Sequence, residues 1–179
     1  MTNESLIEAM RDQAFYPHSA DAVELIQTHI SMIFLAGDFA YKVKKAVDFG
    51  FLDFTTLEKR LFFCNEELRL NRRLAPQMYL DVVPICRDDR GRIRLGEEGG
   101  IIEYAVKMRR FPAHRMLKRL LAARQIEPSV MKAVAEKVAG FHEEAATGGE
   151  IDRIGGVDTV RKNIEENFSQ TAPYIGRTI

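Results

Sequence analysis

The stretch from Val23 to Val47 is dense in β-branched and aromatic residues and is punctuated by Gly37-Asp38. Such residues fit a pleated, half-buried surface, and a glycine–aspartate pair marks a turn. Three antiparallel strands are predicted, Val23–Thr28, Ser31–Ala36 and Phe39–Lys45, with a tight connection at Thr28-His29-Ile30-Ser31. A long helix follows. Thr55 with Glu58 has capping-box spacing, and the helix should run to about Ala75, stopping at Pro76. Tyr79–Arg87 and Arg92–Leu95 flank Asp88-Asp89-Arg90-Gly91, a hairpin signal, and Ile101–Met108 is a further strand. A short amphipathic helix over residues 5–14 precedes all of this and ends before Tyr16-Pro17.

Beyond Pro112 the pattern is helical only. His114–Gln125 is one helix. Another starts with Pro128 in its first turn, carries the stripe Val130, Val134, Val138, Phe141 and Ala145, and ends at Thr147-Gly148-Gly149. A third has Val157, Val160, Ile164 and Phe168 on one face. The expected class is therefore α+β: a lead-in over 1–20, a sheet-and-helix lobe over 21–111, and the first helices of an α-helical lobe over 112–179.

Composition narrows the function classes. Basic and acidic residues balance at 26 each, so no global field favours nucleic acid or a membrane surface. No secretory leader and no apolar run of membrane-spanning length is visible, and a cytoplasmic location is expected. Cys64 and Cys86 have neither metal nor redox spacing, and with four scattered histidines a zinc site is not expected.

The charged residues need more care. On the helix from Leu57, the residues Leu57, Leu61, Cys64 and Leu68 share one stripe, while Phe63, Leu70 and Leu74 form a second. Arg69, Arg72, Arg73 and Glu58 lie opposite, and Glu66 is on the polar side. Glu67 falls between the two apolar stripes, where a carboxylate is costly unless a cation meets it. Alternation on the third strand puts Ala40, Lys42 and Lys44 on one face and Phe39, Tyr41, Val43 and Lys45 on the other. An inward glutamate on this helix and a lysine of the preceding strand can form one ion pair, and a lysine held that way presents an oriented positive charge to a polyphosphate. The ordinary readings stand beside this one. Lysines on a strand discourage edge aggregation, Glu67 can meet Arg60 or Arg110 instead, and His29 and Ser31 suit a turn. Arg109-Arg110 reads as a solvated connector and His142 as a packing residue.

"FAYK" at 39–42 resembles the lysine-bearing strand of protein-kinase-like folds. The run "QTHISMIFLAGDFAYKVKKAVDFGFLDFTTLEKRLFFCNEELRLNRRLAP", with "YLDVVPI", "EYAVKMRRFP" and the "FH" of the 128–146 helix, resembles more closely a bacterial family of aminoglycoside-phosphotransferase-like proteins. Members are often fused to a C-terminal P-loop kinase-type domain. The resemblance covers most of the chain and implies a kinase-like nucleotide lobe that binds ATP. It makes Lys42 the phosphate-contacting lysine and Glu67 its helix partner, with Lys44 and Glu66 as the second choices. It puts Thr28–Ser31, including Ser31, where kinases fold a loop over the phosphates. Met108 would lie near the adenine, on the last strand and hinge.

Two departures qualify it. The Thr-His-Ile-Ser turn has no glycine, so the close backbone approach of a glycine-rich loop is not expected. The His-Gly-Asp-type catalytic loop, the metal-binding aspartate and a P-loop are absent, and the chain stops at Arg177-Thr178-Ile179 before they would come. Magnesium and the base would therefore belong to a full-length protein, and this chain alone is expected to have little or no transferase activity toward a small-molecule acceptor. A non-catalytic kinase-like interaction module is the alternative. Helix stripes left without their lobe should be exposed or buried by self-association.

Overall fold

Strands β1 (Val23–Gln27), β2 (Ser31–Ala36) and β3 (Phe39–Lys44) form an antiparallel meander. The long helix α2 (Leu57–Arg72) follows, and then β4 (Tyr79–Arg87), β5 (Ile93–Leu95) and β6 (Gly100–Arg109). The six strands make one sheet in the order β1-β2-β3-β6-β4-β5, antiparallel throughout. The last strand thus inserts between β3 and β4. The computed structural model describes residues 3–96 and 98–177 and divides into two units, one up to Met131 and one from Lys132 on.

The sheet's two faces differ in chemistry. On one, Met32, Phe34, Ala36, Tyr41, Val43, Ile85 and Ala105 form the core with Leu6 and Met10 of α1 (Asn3–Arg11) and with Phe15 and Tyr16. Leu6 and Met10 stand four residues apart on one helix face, so a nine-residue helix with little stability of its own is held by packing. The lead-in is braced internally by polar contacts: Asp12 accepts from the Ala14 amide at 2.9 Å, and the Tyr16 hydroxyl donates to the Met10 carbonyl at 2.6 Å. Phe34 is wholly buried in this core. A Phe34→Ala variant is expected to lose about 3–5 kcal/mol in urea denaturation, since the strand neighbours cannot close the cavity. The β2–β3 turn demands its glycine: Gly37 has φ +53°, and a Cβ there would meet the Ser19 carbonyl oxygen at 2.6 Å.

The structure is an α-and-β protein built on an antiparallel sheet, as the residue pattern indicates, with local corrections. The cap of α2 is Thr56, whose side chain accepts from the Lys59 amide; Thr55 instead donates to Asp53 at 2.6 Å. Asp53 also pairs with Lys59. The 114–125 segment is a 3₁₀ turn, Ala113–Arg115, and a short helix α3 (Leu117–Ala122). In the second unit, α4 (Pro128–Glu143) leads in from the first, and α5 (Gly149–Gly155) and α6 (Val157–Thr171) follow. The sequence pattern does not predict α5, because Gly148-Gly149 reads as a terminator. It begins there because Asp152 accepts from the Gly148 amide at 3.0 Å, satisfying a donor at the helix start.

Candidate functional site

Register decides what the second sheet face carries. Lys42 stands between Ile33 on β2 and Val106 on β6; Ala40 stands between Leu35 and Met108; Lys44 faces Ser31. Residues paired across strands project to the same side. Lys42 and Lys44 therefore stand on the sheet face that also carries Ile33, Leu35, Ala40, Val106 and Met108, and α2 packs against β4 and β6.

Glu67 of α2 meets both lysines. Lys42 Nζ donates to Oε1 at 2.8 Å and Lys44 Nζ to Oε2 at 2.7 Å. The two cations are not equivalent: the Lys42 side chain is 26% exposed and that of Lys44 only 6%. Lys44 also lies over the Phe54 ring, 4.9 Å from its centroid, a cation–π contact that holds it under the helix. Burial pushes the Glu67 carboxyl up, but hydrogen bonds and charge from Lys42 and Lys44 outweigh it and hold the group below the ordinary glutamate value. A carboxyl depressed in the folded state stabilises fully above its unfolded pKa, and that stability is lost as pH falls through the lowered folded value. Glu67→Gln should accordingly flatten the acid side of the stability–pH curve measured by chemical denaturation. An unchanged acid limb would show that Glu67 does not carry it.

A second ion pair lies beneath the same helix. Arg60 Nε donates to both Glu103 oxygens at 2.9 Å, and Nη1 donates to the carbonyls of Phe54 and Thr55 at 2.9 and 3.2 Å. Both residues are buried. Arg60 was only a possible partner for Glu67 on the residue pattern, and the pattern missed this pair. The available signal was spacing: seven residues separate Arg60 from Glu67, about 20° from two full turns, so they share one edge of the helix. Arg110, the other possible partner, pairs with Glu24 at 2.5 Å.

The remaining candidates fall in different places. Glu66 turns outward to Arg69 at 2.6 Å. Met108 is half-buried on the lysine face. Ser31 is 1% exposed and its Oγ has no hydrogen-bond partner, so it presents no hydroxyl at the surface. The β1–β2 turn is closed by the Thr28 hydroxyl, which accepts from the Ser31 amide at 3.0 Å, and by Lys45, which donates to the Thr28 carbonyl at 2.8 Å. Lys45 is thus part of that turn. Tyr79, beside the Glu67 pair, has its hydroxyl pushed up by burial first and by the Glu67 charge second. Burial likewise pushes the Cys64 thiol up to about 11, which makes it an inert packing residue.

Among the described residues no three or more His, Cys, Asp or Glu come together as a metal site, and no helix is long and apolar enough to cross a membrane. Against known proteins, the chain is 32% identical over 157 residues to uncharacterized proteins of Mycobacterium tuberculosis and Mycobacterium bovis. The match takes in 88% of this chain, which spans about 30% of the length of those curated relatives. No family model matches the chain, and no solved structure matches it.

Proposed function

We propose that the first unit is the nucleotide-binding lobe of a kinase-like small-molecule phosphotransferase, binding ATP through Lys42. The observation that carries this reading is the Lys42–Glu67 pair: a strand lysine oriented by a helix glutamate at 2.8 Å, one quarter exposed, beside Ala40, Val106 and Met108. Such a lysine supplies fixed charge to a phosphate, and the apolar floor suits a planar base. Thr28–Ser31 offers a tight cover rather than a glycine-rich cradle. The described residues hold no carboxylate cluster for magnesium, so no step through the metal is assigned to this chain. Most of each mycobacterial relative lies outside the matched stretch, and the base, the metal ligands and the acceptor pocket belong there in this reading. In this reading the part played by this chain is to bind nucleotide.

Calorimetric titration with ATP, with and without magnesium, tests it. A saturable isotherm is expected; none under either condition would sink the reading and favour a kinase-like interaction module.

Self-association is a separate expectation. On α6 the apolar residues Val157, Val160, Ile164 and Phe168 are 49–73% exposed and line a groove of about 390 Å³. A stripe of this kind is covered by another surface in a stable protein. Light scattering should give a mass above the 20.4 kDa of one chain, and Ile164→Glu should return it to the monomer value.

A further inference from the structure

We propose that Lys44 is a positioning residue: pinned under α2, it neutralises and orients Glu67, so that Lys42 presents an unbalanced positive charge to a ligand of the phosphate class. The inference rests on the reading of Lys42 as a phosphate contact.

A single lysine–glutamate pair is neutral from a distance and attracts an anion only through its orientation. Here one carboxylate serves two ammonium groups, one on each oxygen, and the cluster carries one net positive charge. Burial decides where that charge is available. Lys44, 6% exposed and seated on Phe54, is closed to an outside ligand, whereas Lys42 is open. An ammonium has three donors, and Lys42 commits one to Glu67, leaving others for phosphate oxygens. Lys44 also gives Glu67 a partner that does not depend on the ligand. When Lys42 turns toward an anion, Glu67 is still held at Oε2 and the inner edge of α2 stays in place. The Oγ of Ser31, on the residue directly across from Lys44, makes no hydrogen bond and so does not compete for its ammonium. Of the neighbouring titratable groups, Tyr79 and Cys64 are both raised, burial first among the causes, and neutral at pH 7, while the Glu103 charge is balanced by Arg60.

The test uses the full chain and two probes, inorganic tripolyphosphate and adenosine, titrated by calorimetry at low ionic strength. Lys44→Gln is expected to weaken tripolyphosphate about tenfold, although Lys44 itself is buried, and to leave adenosine unchanged. Lys44→Arg should retain binding. Adding Glu67→Gln to Lys44→Gln restores the net charge and should bring tripolyphosphate affinity back to within about threefold of the parent. Unchanged binding in Lys44→Gln, or a double variant no tighter than the single one, overturns the proposal, as does equal loss of both probes, which marks collapse of the site. If the parent chain binds neither ATP nor tripolyphosphate, the phosphate reading fails. The Lys44 role is then judged by ¹³C NMR titration of the Glu67 carboxyl. An upward shift in Lys44→Gln supports positioning, and an unmoved titration overturns it.

Discussion

Arg60→Leu costs the first unit about 3–5 kcal/mol in chemical denaturation followed by circular dichroism, the largest loss expected from any single charged residue here. The substitution strands Glu103 among buried neighbours, where a carboxylate without a cation is far from water. It also removes the guanidinium that satisfies the carbonyls of Phe54 and Thr55, just before α2 begins. The Glu103 carboxylate keeps only a donor of its own strand, the Tyr104 amide at 3.0 Å. The companion variant, Arg60→Leu with Glu103→Leu, should recover a large part of the loss, because apolar residues of similar volume often replace a buried pair without penalty. A loss under about 1 kcal/mol in the single variant would mean that the pair is a spectator. The expectation bears on function as well as stability, since Arg60 and Glu67 anchor the same helix edge to β6 and β3 respectively.

Lys42→Ala is expected to raise the dissociation constant for ATP by roughly 10- to 100-fold, the value of a charge-assisted hydrogen bond to a phosphate. The fold should survive. Glu67 keeps Lys44 as a partner, so the variant creates no unpaired buried charge, and thermal melting should shift little. This separation of binding from stability is what distinguishes Lys42 from Arg60. An ATP affinity unchanged in Lys42→Ala would remove the lysine from the site, and a matching fall in melting temperature would assign it to structure instead.

The lysine strand was legible without coordinates because strand alternation has period two: once Phe39–Lys45 is a strand, Lys42 and Lys44 must share a face. Glu67 was legible as an inward carboxylate for the matching reason on a helix of 3.6 residues per turn. What periodicity does not carry is depth. It ranks Lys42 and Lys44 equally, whereas in the fold Lys44 lies against the ring of Phe54, brought in by the loop between β3 and α2, and is buried, while Lys42 stays partly open. Long-range partners were hidden for the same reason. Glu103 lies 43 residues from Arg60 and becomes its neighbour only when β6 inserts between β3 and β4.

The sequence by itself determined the strands, the long helix and the inward direction of one glutamate, because these follow from local sterics and periodicity. Tertiary structure decided which cation is buried, which is exposed, and which arginine enters the interior. Those outcomes depend on strand order and on the shielding of charge from water, and neither is a property of any short stretch of chain.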